Sequence, residues 1–129
     1  MTPDELKQRS KEFALRCLKA VEALPKSVTG RTVAGQLARA GTSVAANYRA
    51  ACRARSRAEF IAKLGIVEEE ADECAFWLEL AVEAGLLAPH QTGDLHGEAE
   101  ELVKIIAASR ISAARNRAAN RQSAIANRQ

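Results

Sequence analysis

Aromatic and proline residues are scarce in this 129-residue sequence: aromatics make up 4% of it, and prolines number three. The shortage of aromatics argues against RNA-binding folds that stack bases on an aromatic sheet. The shortage of proline, together with abundant alanine, favours helix along the chain. The length corresponds to one domain, which is large enough to bury a core without disulfides or metals.

The sequence also lacks a long apolar segment and a cysteine framework. No stretch approaches the roughly 18 apolar residues of a membrane span, and the polar, charged N-terminus has no apolar region typical of a secretory signal. Cys17, Cys52 and Cys74 are odd in number and have no metal-ligand spacing. We therefore expect a cytoplasmic protein with no membrane partner, in which reduced cysteines serve as small apolar residues.

Apolar residues recur at helical spacing in four segments. These segments predict helices over residues 3–24, 30–54, 57–84 and 92–116. Because the connections are short, residues 1–116 are expected to form an all-α, antiparallel, up-and-down four-helix bundle. Residues 117–129 lose the apolar periodicity and are predicted to be a basic C-terminal tail that is frayed or disordered. Surplus apolar positions on the third and fourth helices indicate a subunit interface.

Several helix ends carry residues that satisfy backbone groups. Thr2 and Ser56 each precede a glutamate by three residues, which is typical of a capping box. Gly85 is placed to end the third helix, and Thr92 or Asp94 is placed to cap the fourth.

One polar residue interrupts the apolar stripe of the second helix. Asn47 falls between Val44 and Ala51 on that stripe. A ligand role for Asn47 would have no partner residues to support it. We therefore expect a buried amide that bonds across the bundle and sets the register of the helices.

No pattern typical of catalysis is present. His90 and His96 do not follow a glutamate by three residues, as di-iron bundles require. The carboxylates at 68–73 could bind a hard cation, but they are better explained as a solvated face. There is no glycine-rich phosphate loop and no nucleophile elbow. Arginines around Cys52 would lower the pKa of an exposed thiol, yet no histidine is placed to serve it. We expect no enzyme activity, no metal and no cofactor.

The net charge of +3 conceals alternating blocks of opposite sign. Residues 26–58 carry seven Lys/Arg and no acid, whereas residues 59–101 carry twelve acids and one Lys. Residues 102–129 are basic again, with six Lys/Arg and no acid. Blocks of this kind indicate separate charged surfaces.

The basic residues have two possible partners. A row of arginines binds phosphate by bidentate contacts and counterion release. Alternatively, the arginines pair with acids of the third helix, within or between subunits, or favour a helix C-terminus. Because exposed ion pairs contribute roughly 0–1 kcal/mol each, stability alone is a weak reason for so many. The predicted nucleic-acid-binding residues are Arg39, Arg49, Arg53, Arg55, Arg57, Arg110, Arg115 and Arg117.

The segment from Gln36 to Leu87 resembles a bacterial four-helix bundle family, the proteins encoded in intervening sequences of 23S ribosomal RNA genes. The matching positions are Gln36, Leu37, Arg39, Ala40, Ser43, Val44, Asn47, Arg53 or Arg55, Ser56, Glu59, Phe60, Glu73, Ala81, Gly85 and Leu87. Two positions depart from the family pattern. Arg49 lies in a run that contains an acid in many members, and Glu69-Glu70 replace a small Gly-Ser pair.

The resemblance implies a homopentameric ring or barrel with no enzyme activity and no known cofactor. Distant relatives are accessory factors of diversity-generating retroelements, in which a basic pentamer is thought to contact nucleic acid and a reverse transcriptase. We therefore expect a non-enzymatic homo-oligomer, pentameric by this resemblance, whose basic surface binds RNA or DNA through phosphates with low sequence specificity. The alternative is a self-assembling interaction module with a protein partner and no nucleic acid, whose basic and acidic faces pair between subunits.

Overall fold

The computed structural model describes residues 1–127, which form four α-helices and no strand. The helices are α1 (Pro3–Glu22), α2 (Val28–Cys52), α3 (Arg57–Glu83) and α4 (Pro89–Asn127). Each helix packs against the next in the chain, and α1 also touches α4 over a smaller area. The all-helical prediction is confirmed. None of the helices in this part of the chain combines the length and apolarity needed to traverse a lipid bilayer.

The first three helices begin at side-chain caps. Thr2 and Glu5 form the predicted reciprocal box, with both bonds 3.1 Å long. Ser56 accepts a hydrogen bond from the Glu59 backbone N–H, but the Glu59 carboxylate accepts from the N–H of Arg55 instead of Ser56. The predicted second box is therefore only half formed. In α2, Ser27 is the cap, so this helix begins two residues earlier than expected.

Gly85 ends α3 in the way that the sequence predicts. Its φ of +72° lies in the left-handed region, where a side chain would be strained. The N–H of Leu86 donates to the carbonyl of Ala81, and the N–H of Gly85 donates to the carbonyl of Val82. These two bonds form a Schellman motif, which satisfies carbonyls at the end of the helix.

Helix α4 differs from the prediction at its start. It begins at Pro89, because proline presets the backbone of a first helical turn and has no N–H to satisfy there. Thr92 lies inside the helix, where its hydroxyl donates to the carbonyl of Pro89. The prediction of Thr92 or Asp94 as the cap was therefore wrong.

The C-terminal half of α4 corrects the prediction of a frayed or disordered tail. The helix does not end near residue 116 but continues to Asn127. Residues 117–127 include four Ala and two Arg and contain neither glycine nor proline, so nothing in them stops a helix. Because these residues lack apolar periodicity, most of them are not buried, but they still form a helix. The rest of the predicted tail, residues 128 and 129, lies outside the described residues.

The core consists of the stripes that the periodicity indicated. The largest fully buried side chains are Phe13, Leu37, Leu64, Leu78, Leu102, Ile106, Val44, Val67, Cys17 and Cys74. Asn47 does not have the predicted role. It is half-buried, and its side-chain amide donates to the carbonyl and hydroxyl of Ser43, one turn earlier in α2. Tyr48 is the buried neighbour, so Asn47 lies at the edge of the stripe and makes no bond across the bundle within residues 1–127.

Candidate nucleic-acid interface

The up-and-down topology brings three basic segments to one end of the bundle. The starts of α1 and α3 lie beside the ends of α2 and α4: Pro3 lines a cavity with Cys52 and Arg57. We call this surface the basic end. Its members are Lys7, Lys11, Arg49, Arg53, Arg55, Arg57, Arg115, Arg117 and Arg121. The acids of the same segments are Asp4, Glu5 and Glu59, so the local charge is strongly positive.

Arg49 and Arg53 line an open groove of about 600 Å³ between α1 and α2. Both side chains are exposed, and neither forms an ion pair within residues 1–127. Lys7 and Lys11 lie across the groove on α1, and Lys7 pairs loosely with Asp4, at 3.5 Å.

The two lysines were missed by the sequence interpretation, which considered arginines and took none of the cations of α1. The signal was available, because a short connection between antiparallel helices places the start of the first beside the end of the second.

Arg55 and Arg57 extend the basic end through the α2–α3 connection. Both are exposed, and in the described part of the chain neither guanidinium group pairs with a carboxylate. Arg57 lies beside a cavity that also contacts Tyr48 and Phe60. Tyr48 is buried and Phe60 is half-buried, so no aromatic ring of this cavity is freely exposed for base stacking.

Arg39 and Arg110 do not belong to the basic end. Both form ion pairs with carboxylates inside the subunit. Arg39 contacts Glu70 at 3.1 Å and Glu73 at 2.5 Å, which raises the pKa of Arg39 and lowers the pKa of Glu73 through direct hydrogen bonds. Arg110 contacts Glu68 at 2.7 Å, and the hydrogen bond to this carboxylate raises the pKa of Arg110. The helical line of α2 predicted that Arg39 would accompany Arg49 and Arg53, but Arg39 bends toward the acids of α3.

The C-terminal half of α4 carries the remaining cations. Arg115 is exposed, and Arg117 and Arg121 lie beside Ile61, near the start of α3. None of these three arginines forms an ion pair in residues 1–127. Arg121 was not among the predicted residues, although Arg117 of the same segment was. The helix gives all three a defined position at the basic end.

His96 and the buried cysteines make contacts within the bundle. In residues 1–127 no group of three or more His, Cys, Asp and Glu side chains is arranged to hold a metal ion. His96 lies between Glu79 and Glu100, at 2.7 and 3.1 Å, and joins α3 to α4. The hydrogen bond with Cys17 and burial both raise the pKa of the Cys74 thiol, which disfavours the reactive thiolate.

The fold and this surface define a helical-bundle protein with one strongly basic end. The chain belongs to the 23S rRNA-intervening sequence protein family, whose sequence profile matches residues 4–108. It is similar to a crystal structure of a protein of unknown function from the S23 ribosomal protein family of Bacteroides thetaiotaomicron VPI-5482. The two chains are 33% identical with a TM-score of 0.79, over 85% of this chain and 98% of the other. No curated protein sequence matches the chain. The resemblance seen in the sequence is thereby confirmed.

Proposed function

We propose that this chain is a non-enzymatic protein that forms a homo-oligomeric ring, pentameric as the family resemblance implies, and binds RNA or DNA through phosphates with low sequence specificity. The observation that carries the proposal is the basic end. Helices distant in sequence bring Arg49, Arg53, Arg55 and Arg57 together with cations of α1 and α4, and none of these four forms an ion pair within residues 1–127.

Nucleic acid is the partner that best explains this arrangement. Exposed arginines gain little stability even from ion pairs, and these four lack such pairs in the described residues. Guanidinium groups match phosphate geometry in a bidentate manner. Binding to phosphates also releases condensed counterions, which favours association whatever the base sequence.

Exposed apolar side chains support assembly of the ring. Leu15 and Leu18 on α1 are 59% and 39% exposed, and Ile66 and Phe76 on the outer side of α3 are 38% and 51% exposed. Two different apolar faces on one subunit suit a head-to-tail contact, which closes into a ring when the rotation between subunits permits. Leu15 and Leu18 line the same groove as Arg49 and Arg53. A contact at the two leucines therefore borders the basic end.

Two charge-matched double variants test the proposal. Arg49→Gln/Arg53→Gln removes two cations of the basic end, and Arg39→Gln/Arg110→Gln removes two that are engaged inside the subunit. Fluorescence anisotropy with a labelled generic RNA and a labelled single-stranded DNA should show at least about tenfold weaker binding for the first pair, because two phosphate contacts are lost. The second pair should bind like the wild type.

Equal loss of affinity in both double variants would mean that only net charge matters, and no loss in either would remove the basic end as the binding surface. Circular dichroism confirms that each variant is folded. Light scattering after size exclusion measures the subunit number in parallel.

The second candidate is an assembly module without a nucleic-acid ligand. It is favoured by the pairing of Arg39 with Glu70 and Glu73, which shows that acids of α3 attract arginines of α2. If such pairs also form between subunits, raising the salt concentration should dissociate the ring, and purified protein should retain no nucleic acid. Under the first proposal the ring persists in salt while nucleic acid is released.

A further inference from the structure

The line of buried positions on α4 continues toward the C-terminus, but polar residues occupy it there instead of apolar ones. Its core positions follow a heptad rhythm through Leu95, Ala99, Leu102, Ile106, Ser109 and Ala113. The same rhythm then reaches Asn116, Asn120 and Asn127, with Ser123 between the last two. Ala113 is the last buried residue of the helix. Asparagine therefore replaces apolar residues on this stripe at the point where its side chains become exposed.

The segment 114–127, which we call the overhang, is a helix that first passes beside Ile61, near the start of α3, and then continues to Asn127. Every residue from 118 to 127 is exposed, and at 1.5 Å per residue the fourteen positions extend roughly 20 Å. Since the asparagine positions share the side of α4 that faces the bundle lower down, they overlook the basic end. A ligand held at the basic end therefore lies beside the asparagines.

The charges of the overhang favour an anionic occupant over a second copy of the same helix. Arg115, Arg117 and Arg121 belong to it, and the chain contains no acid from residue 102 onward. Two overhangs side by side would repel each other. The sequence profile of the family ends at residue 108, so the overhang lies outside the matched part of the chain.

We propose that the overhang enters the major groove of duplex DNA and reads base edges there, with Asn116 and Asn120 directed at adenine and Arg117 and Arg121 at guanine or flanking phosphates. An asparagine amide pairs with the N6 and N7 atoms of adenine, and a guanidinium group pairs with O6 and N7 of guanine. Neighbouring Ala119 and Ser123 are small and exposed, and they allow the helix a close approach. The inference rests on the proposed function and adds sequence preference to it.

Duplex DNA fits better than RNA for two reasons. The major groove of B-form DNA is about 12 Å wide and admits a helix, whereas that of A-form RNA is too narrow for side chains to read. Single-stranded RNA is read by stacking on aromatic rings, and the overhang contains no aromatic residue.

Selection from a pool of randomised 20-base-pair DNA duplexes tests the inference with the full chain. The wild type should enrich a motif that contains adenine and bind the selected duplex about tenfold more tightly than a scrambled one. Asn116→Ala/Asn120→Ala should bind both duplexes with the affinity that the wild type has for the scrambled one. Alanine preserves the helix, so this loss reflects base contacts. Gln122→Ala, on the other side of the overhang, is the matched control and should keep the preference.

The outcomes separate this inference from the proposed function. If the wild type binds all duplexes equally and Arg49→Gln/Arg53→Gln weakens that binding, the proposed function stands and base reading by the overhang is refuted. Tighter binding to single-stranded RNA than to the selected duplex also refutes base reading. If the wild type binds no nucleic acid, both fail.

Discussion

Arg39 on α2 and Glu73 on α3 are joined by a hydrogen bond of 2.5 Å, and the same carboxylate oxygen accepts the indole N–H of Trp77. Arg39 lies in the middle of α2, and this contact engages it in a hydrogen-bond network within the subunit. Arg49 and Arg53, three and four turns further along the helix, have no such partner within residues 1–127. The row of α2 is therefore divided into a structural part and a part that is available to a ligand.

The salt dependence of nucleic-acid binding should follow this division. Each phosphate contact contributes roughly 0.7–0.9 to the slope of log K against log salt, so Arg49→Gln/Arg53→Gln should reduce the slope by about 1 to 2. Arg39→Gln/Arg110→Gln should leave it unchanged. Anisotropy titrations at four salt concentrations measure the slope. A wild-type slope near zero would show that phosphates are not contacted.

The ion pair of Arg9 with Glu98 should make stability depend on pH. Two hydrogen bonds, of 2.6 and 2.7 Å, lower the pKa of Glu98 below its ordinary value of 4.5. A lowered carboxyl pKa contributes stability above the unfolded pKa, and that stability is lost as the pH falls through the folded pKa. Glu98→Gln should therefore lower the free energy of unfolding by about 1 kcal/mol at pH 7 and by less at pH 3.

Urea unfolding at the two pH values measures the effect of Glu98→Gln. Glu69→Gln is the control, because Glu69 is exposed and pairs with no cation among residues 1–127. An equal loss from Glu98→Gln at both pH values would assign the effect to packing and not to charge.

The close approach of α1 and α2 depends on Gly41. A Cβ atom at this position would lie 2.6 Å from the Cβ of Cys17 and 2.7 Å from its sulfur, so Gly41→Ala forces the two helices apart. We expect a loss of about 1–3 kcal/mol in the free energy of unfolding. Gly35→Ala is the matched control in the same helix, since nothing lies within 4 Å of its Cβ position.

The Gly35→Ala variant should gain about 0.5–1 kcal/mol from helix propensity. Guanidinium chloride titrations followed by circular dichroism compare the two variants with the wild type. If Gly41→Ala were as stable as Gly35→Ala, the tight contact between the helices would be disproved.

The three thiols should differ in reactivity. Cys17 and Cys74 are fully buried, whereas Cys52 is half-buried. No Cα atom of α1 lies within 8 Å of a Cα atom of α3, and a disulfide needs about 4.4–6.8 Å. A thiol reagent should therefore modify Cys52 first and the other two only after unfolding. Mass spectrometry after mild oxidation should detect no Cys17–Cys74 bond, and its detection would contradict the packing described.

Local structure followed from the sequence at some of the helix ends, where short-range chemistry decides it. The capping box at Thr2 and the left-handed turn at Gly85 depend on atoms within six residues, so they could be predicted. The core stripes could also be predicted, because apolar periodicity states which face of a helix seeks a partner. The end of α4 could not be predicted. The absence of an apolar stripe shows only that the segment has no buried face, but it was interpreted as the absence of a helix.

The identity of the four helices and the existence of basic and acidic blocks were determined by the sequence alone. Which arginines meet an acid was decided only by the tertiary structure. Arg39 and Arg53 look alike along α2, but Arg39 lies beside Glu70 and Glu73 of the antiparallel helix, whereas Arg53 lies beyond its acidic part. Ion pairing depends on distances of a few ångströms between helices, and the relative position of helices is set by core packing that no single helix encodes.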